Sequence, residues 1–436
     1  MTRGSPLWFC IAVLMGSNQS FAQSADSSLS VLLKGNAHVI ESCELTAPLK
    51  DLLFLKKLFE GKRIISMGEA THGTREFAQL KGRFFKYLVE ELDFNIIALE
   101  ADFGEALAVN EYVLGTHDDG LGALMRLKFF HCVNEETLQL INWMRLYNRN
   151  RAFQMKVKFY GFDFQMADGQ LTQIEQYLSR VDTAFARQVR ELRPMPASGY
   201  YGPSLDIKDI VLIRETIQHD SAKYVIKSGV KEWETALHLT YTLEDFYHLR
   251  KTPEKGFSRD MCMKKNIDWI LKHEGSQSKI LLWAHNEHVI YDSVSNQETG
   301  YFKRMGLALK ETYGKNLYTI AFDFNKGKFY ANKPLDSGGR MLTVYEMSDA
   351  HNGTLASVLS KIPFDTFFID IQNASEDGRV RSWLHNPIVM RSIGGMVPEE
   401  CIVEQSSCSF IRVSLLTAYD GVIFVHQTHE INLLKK

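Results

Sequence analysis

Short, almost uninterrupted apolar runs alternate along the chain with longer stretches whose apolar positions recur every three or four residues. The short runs occupy 63–67, 95–99, 157–162 and 279–284, then 317–322, 366–371 and 421–426. Five or six residues without polar alternation fit strands covered on both faces, as in a parallel sheet between helical layers. The intervening segments, such as 76–91 and 136–149, have helical period and length. Together they predict a doubly wound α/β fold with a mostly parallel central sheet flanked by helices and further α/β elements towards the C-terminus.

Between 170 and 274 the strand signal stops. Polar, helix-periodic segments at 171–192, 207–228, 231–250 and 258–272 take over, broken near Pro194, Pro196, Gly229 and Pro253. The expected organisation is a discontinuous catalytic core, 23–169 and 275–436, with a helical insertion at 170–274.

Residues 1–22 read differently. Arg3 is the only charge before Asp26, an apolar run at 7–15 follows, and Ser20-Phe21-Ala22 offers small residues at a cleavage site. This is the pattern of a signal peptide, too short to span a bilayer, and predicts an exported protein, periplasmic or secreted. No later stretch is apolar for long enough to insert into a membrane. The chain of 436 residues is 45% hydrophobic and 23% charged, with a formal charge of −2. Such balance gives no electrostatic case for nucleic acid or anionic lipid as partner. Outside the leader the cysteines are Cys43, Cys132, Cys262, Cys401 and Cys408. No spacing among them suggests zinc, and Cys401 with Cys408 could pair in an oxidising compartment. The sequence carries no signal for oligomeric state.

Ligands bind open α/β sheets outside the carboxyl ends of the strands. The run at 63–67 leads into Gly68-Glu69-Ala70-Thr71-His72-Gly73-Thr74, the run at 95–99 into Glu100, and the run at 157–162 into Asp163. The run at 279–284 leads into His285-Asn286-Glu287-His288. Each alone has a bland explanation as a solvated loop residue or helix cap. Four strands delivering carboxylate or imidazole at one end predict a functional crevice. Lys81 adds to this, because it lies in the middle of the apolar stripe of 76–91, between Phe77 and Phe85. A lysine facing a core needs a carboxylate, and Glu69 and Glu100 are the candidates.

The turn at 68–74, continued by Arg75-Glu76-Phe77, resembles the signature of the erythromycin esterase family. So do Lys81, Leu99-Glu100, Asn110, Gly161 with Asp163, Arg259-Asp260, His285 to His288, Arg391 with Gly394, and Tyr419-Asp420. The resemblance implies an ester hydrolase acting on a small-molecule ester or macrolactone, the type case being ring opening of macrolide antibiotics, with no obligatory metal or cofactor. It implies that His72 is the general base and Glu69 its support, with Lys81, Glu100, His285 and His288 completing the catalytic site. Thr71, Asp163 and Asn286, in the same motifs, are expected to bind substrate. No Gly-x-Ser-x-Gly elbow supports a serine nucleophile. Two alternatives stand beside this: a metal-dependent hydrolase using the same His/Glu cluster, and a non-catalytic small-molecule-binding protein on the same fold.

Overall fold

The computed structural model describes residues 27–192, 206–250, 257–296 and 300–434. The expected leader, and the breaks at Pro194, Pro196 and Pro253, lie outside the described residues. Nine strands form one sheet: β1 (Ala37–Val39), β2 (Ile64–Met67), β3 (Ile96–Asp102), β4 (Lys158–Asp163), β5 (Ile280–Trp283), β6 (Leu317–Pro334), β7 (Arg340–Met347), β8 (Thr366–Asp370) and β9 (Gly421–Thr428). Their order is β1-β8-β9-β6-β2-β5-β3-β4, with β7 paired to β6. From β9 to β4 the strands are parallel, while β1, β7 and β8 pair antiparallel.

The apolar runs are continuous because alternate residues enter two different cores. Ile96, Ala98, Ile280 and Leu282 face one core, and Ile97, Leu99, Leu281 and Trp283 the other. On the second face lie α1 (Arg75–Leu92) and α3 (Glu135–Asn148), through Phe77, Leu80, Phe84, Leu140 and Ile141. Between them in the chain, α2 (Phe103–Leu114) contributes to both cores. The first face is covered by residues of 168–274, among them Leu171, Ile174, Ile213, Leu239, Met263 and Ile267.

That segment holds more helices than periodicity predicts: α4 (Asp168–Val181), α5 (Thr183–Glu191), α6 (Ile207–His219), α7 (Ser221–Ser228), α8 (Val230–Arg250) and α9 (Arg259–Glu274). The expected helix at 171–192 is divided by Asp182, whose carboxylate accepts the Phe185 N–H at 3.1 Å and starts α5. Asp220 lies at the break that divides 207–228, but its side chain does not cap the helix that follows. At Asp182 the helix is broken by local capping, and neither break carries the glycine or proline that usually flags a boundary. Strand β6 also exceeds expectation, running on to Pro334. Past Phe324 it alternates, with Phe329 and Ala331 buried and Lys328 exposed, so a search for unbroken apolar runs loses it. None of the described helices is long and apolar enough to cross a membrane.

Candidate active site

Strand β2 sits between β6 and β5, and its carboxyl end feeds the 68–74 turn. Two glycines let this turn press against its neighbours. A Cβ at Gly68 would stand 2.1 Å from Asn286 Oδ1, and one at Gly73 would stand 2.0 Å from the Tyr330 carbonyl oxygen. The Glu69 carbonyl accepts the Asn286 N–H at 2.9 Å, and the Ala70 carbonyl accepts the Ile393 N–H at 2.7 Å. Backbone on both sides therefore fixes where Glu69 and His72 project.

Glu69 is 3% exposed and fully bonded. One oxygen meets His72 Nδ1 at 2.6 Å; the other accepts the Lys81 ammonium and, at 2.8 Å, the Trp283 indole N–H. Burial pushes its carboxyl up, but Lys81 and His72 outweigh this and hold it at about 2. Lys81 is wholly buried, 4.8 Å from the centroid of the Trp283 ring. Burial lowers its ammonium to about 8 against the pull of Glu69, so it stays charged at neutral pH. Its place in the apolar stripe thus reflects a paired buried cation.

Strands β3 and β5 supply a second cluster. Glu100 accepts the His285 backbone N–H at 3.0 Å and Arg259 Nη2 at 2.9 Å. A bulge after Leu99 places it inside β3 rather than just beyond it. Arg259, at the start of α9, grips Asp163 with Nε at 3.0 Å and Nη2 at 2.6 Å. His288 bridges Asp260 at 3.1 Å and Glu100 at 3.3 Å. Burial opposes its charge, yet those two carboxylates raise it to about 10, making it an imidazolium at neutral pH. It tolerates Arg259 Nη1 at 3.3 Å because Glu100, Asp163 and Asp260 surround both cations. Glu100 is held well below the usual range: burial opposes this, but His288 and Arg259 prevail.

His285 differs from His288. Its Nδ1 accepts the Glu287 N–H at 3.4 Å, which leaves the proton on Nε2. That Nε2 is buried without a partner among the described residues. Burial, assisted by His72, drives the ring down to about 4, so it is neutral.

These groups border a cleft of about 370 Å³, with His72, Glu100, His285 and His288 in its wall. Glu69 and Lys81 stand behind His72. The three residues expected to bind substrate sit elsewhere. Thr71 is 1% exposed and caps the Gly73 N–H; Asp163 is enclosed by Arg259; both polar atoms of the Asn286 side chain bond the Phe322 backbone. Their polar atoms are taken up inside the protein, so in this structure they shape the site without lining it.

Conversely, the wall contains residues the sequence reading gave no role: His131, Arg259, Glu287, Arg304 and the strap at Gly394, Gly395 and Met396. Arg259-Asp260 stood within a recognised motif at a helix start, which was a usable signal. His131, in a loop between Phe130 and Cys132, offered none. A larger cavity of about 600 Å³ opens at the other end of β4. There Lys158 and Tyr160 both bond the Glu274 carboxylate.

The erythromycin esterase family model matches residues 89–428, well over half of the sequence. The chain belongs to the erythromycin esterase family. It is therefore an ester-hydrolysing enzyme with a small-molecule substrate. Erythromycin esterase type II of Escherichia coli is 21% identical to this esterase over 86% of its chain and 91% of the relative's. YbfO of Bacillus subtilis (strain 168), whose own assignment as a hydrolase is provisional, is 25% identical over 86% of both chains. In fold the esterase matches a crystal structure of a Bacillus cereus protein, with TM-score 0.77, 22% identity, and 94% and 99% coverage. It also matches a mutant of the erythromycin esterase EreC in its open conformation, with TM-score 0.61, 17% identity, and 92% and 100% coverage. Cys401 and Cys408 form a disulfide in the segment that follows the strap.

Proposed function

We propose that this esterase is exported and hydrolyses a small ester or macrolactone by a water molecule that His72 activates. The observation that carries the reading is the arrangement around His72. Nδ1 is occupied by Glu69, so in the neutral ring Nε2 is an acceptor, and the ring lies in the cleft wall. As water attacks the ester carbon, Nε2 takes one of its protons, and Glu69 stabilises the resulting imidazolium. The carbonyl electrons move to oxygen, and we assign its donor to His285, whose ring lines the cleft and whose enclosed Nε2–H has no partner among the described residues. The intermediate collapses by breaking the bond to the leaving oxygen, which receives the proton from His72. Lys81 pairs with Glu69 and keeps its buried carboxylate ionised as the support of His72. Arg259 and His288 position Glu100, which in turn holds the His285 backbone.

The same arrangement favours metal-free chemistry over the metallohydrolase alternative. Glu69 and Glu100 are already bonded to Lys81, Arg259 and His288, and a divalent ion would have to displace those cations. Export is supported by the leader-like N-terminus and by the Cys401–Cys408 bridge, a bond typical of oxidising compartments. Purified protein incubated with a panel of small esters and macrolides should yield hydrolysis products, a lactone becoming heavier by one water. The turnover should survive dialysis against a strong chelator. Activity lost on chelation and restored by zinc or manganese would replace this mechanism with the metal-dependent one.

A further inference from the structure

His72 is the middle ring of three. Its centroid lies 5.2 Å from that of His285 and 4.7 Å from that of His131, whose plane is inclined by 26°. The mechanism above uses two of these rings. His131 Nε2 lies 3.3 Å from the Glu100 carbonyl oxygen, which can only accept, so Nε2 carries the proton. In the neutral ring Nδ1 is then an acceptor. Among the described residues no group bonds it, and it is not among the enclosed polar atoms. The ring lines the cleft beside His72. Burial and the neighbouring His72 hold it down at about 4, so it remains an acceptor at neutral pH.

Two stacked imidazoles therefore present one free acceptor each, His72 Nε2 and His131 Nδ1. A water making two ordinary hydrogen bonds spans acceptors about 4–5 Å apart, and the two ring centroids lie 4.7 Å apart. We propose that His131 is a water-positioning residue, whose Nδ1 accepts the second hydrogen of the attacking water while His72 accepts the first. This fixes the roll of the water and aims a lone pair at the ester carbon. One proton passes to His72; the other stays on oxygen, bonded to His131, and ends on the product acid. His131 itself is neither protonated nor consumed. The inference rests on the reading of His72 as base.

The competing explanation is purely architectural. Phe129 stacks on His131 at 5.5 Å and Phe130 meets it edge-on at 5.6 Å, so the ring also belongs to an aromatic wall. His131→Phe separates the two, because it keeps a ring in the stack and removes the acceptor. With p-nitrophenyl acetate as probe, it should lower kcat about 10- to 100-fold with KM changed less than about twofold, the size expected from loss of orientation. His131→Asn, which carries its amide oxygen near the position of Nδ1, should recover most of that loss. His131→Gln, which reaches towards Nε2 instead, should not. A Phe variant with kcat within about twofold of the parent would overturn the proposal. Equal activity of the Asn and Gln variants would do the same, and that comparison serves if the Phe variant does not fold. His72→Ala run in parallel keeps the two readings apart. If it is inactive while His131→Phe is normal, only the water-positioning role fails; if it retains parental turnover, the base assignment fails.

Discussion

The two sides of the cleft use the same residue types to opposite ends. Around His288, Arg259 and His288 are bonded to the carboxylates of Glu100, Asp163 and Asp260 at 2.6–3.3 Å, with Arg304 3.7 Å from Asp260. Around His72, three rings keep unused nitrogens: among the described residues His285 Nε2 has no partner, and His72 and His131 each use one nitrogen on the protein. A saturated cluster resists reorganisation and serves as framework. An unsaturated one keeps hydrogen-bonding capacity for water and substrate, at a cost in stability that folding elsewhere must offset. Sequence motifs mark both clusters alike; only the bonding separates scaffold from chemistry.

The saturated side should show the largest loss in stability. Asp163→Ala removes the carboxylate that both Arg259 nitrogens grip and leaves the guanidinium partly unpaired. Breaking a buried pair in this way costs about 3–5 kcal/mol, and the quarter-exposed Arg259 places this case at about 3. Urea titration monitored by circular dichroism checks it; a change under about 0.5 kcal/mol would remove the cluster from the framework.

On the reactive side, His285→Phe should leave the melting temperature near that of the parent and reduce kcat about 10²- to 10³-fold, through loss of the donor for the oxyanion. Steady-state kinetics decides the point, and an unchanged kcat would assign His285 to the framework. Lys81→Met is a milder test of the link between the sides. With no ammonium opposite it, burial should raise the Glu69 carboxyl, and a protonated Glu69 no longer supports His72. Activity at neutral pH should then fall about tenfold and recover as pH rises. A pH–rate profile superimposable on that of the parent would show that Lys81 does not tune the base.

Much of the arrangement was legible before the structure. The parallel strands announced themselves through doubly buried runs, and Lys81 through its place in an apolar stripe that structure places at zero exposure. The turn at 68–74 and the His285–His288 segment were legible because each group of reactive residues is contiguous. Asp182 and Asp220 were not, since an aspartate within a polar helix looks the same whether it caps or merely faces water. His131 was hidden for a different reason. Its partners, His72 and the Glu100 carbonyl, are distant in sequence, and its neighbours Phe129 and Phe130 suggest only an aromatic wall. Thr71, Asp163 and Asn286 illustrate the converse. Their proximity to the reactive groups in the motif is real, but their polar atoms are spent on the Gly73 N–H, the Arg259 guanidinium and the Phe322 backbone.

The central claim is that turnover depends on the free nitrogen of His72, and His72→Ala tests it directly. The ring is mostly buried but its removal breaks no backbone bond of the turn, so the variant should fold, with an unchanged circular dichroism spectrum. Measured on an ester the parent hydrolyses, its kcat should fall by about 10³-fold or more, the scale of a lost general base acting with its supporting carboxylate. A folded His72→Ala enzyme that turns over within about tenfold of the parent would contradict the account and move the base to another residue of the cleft.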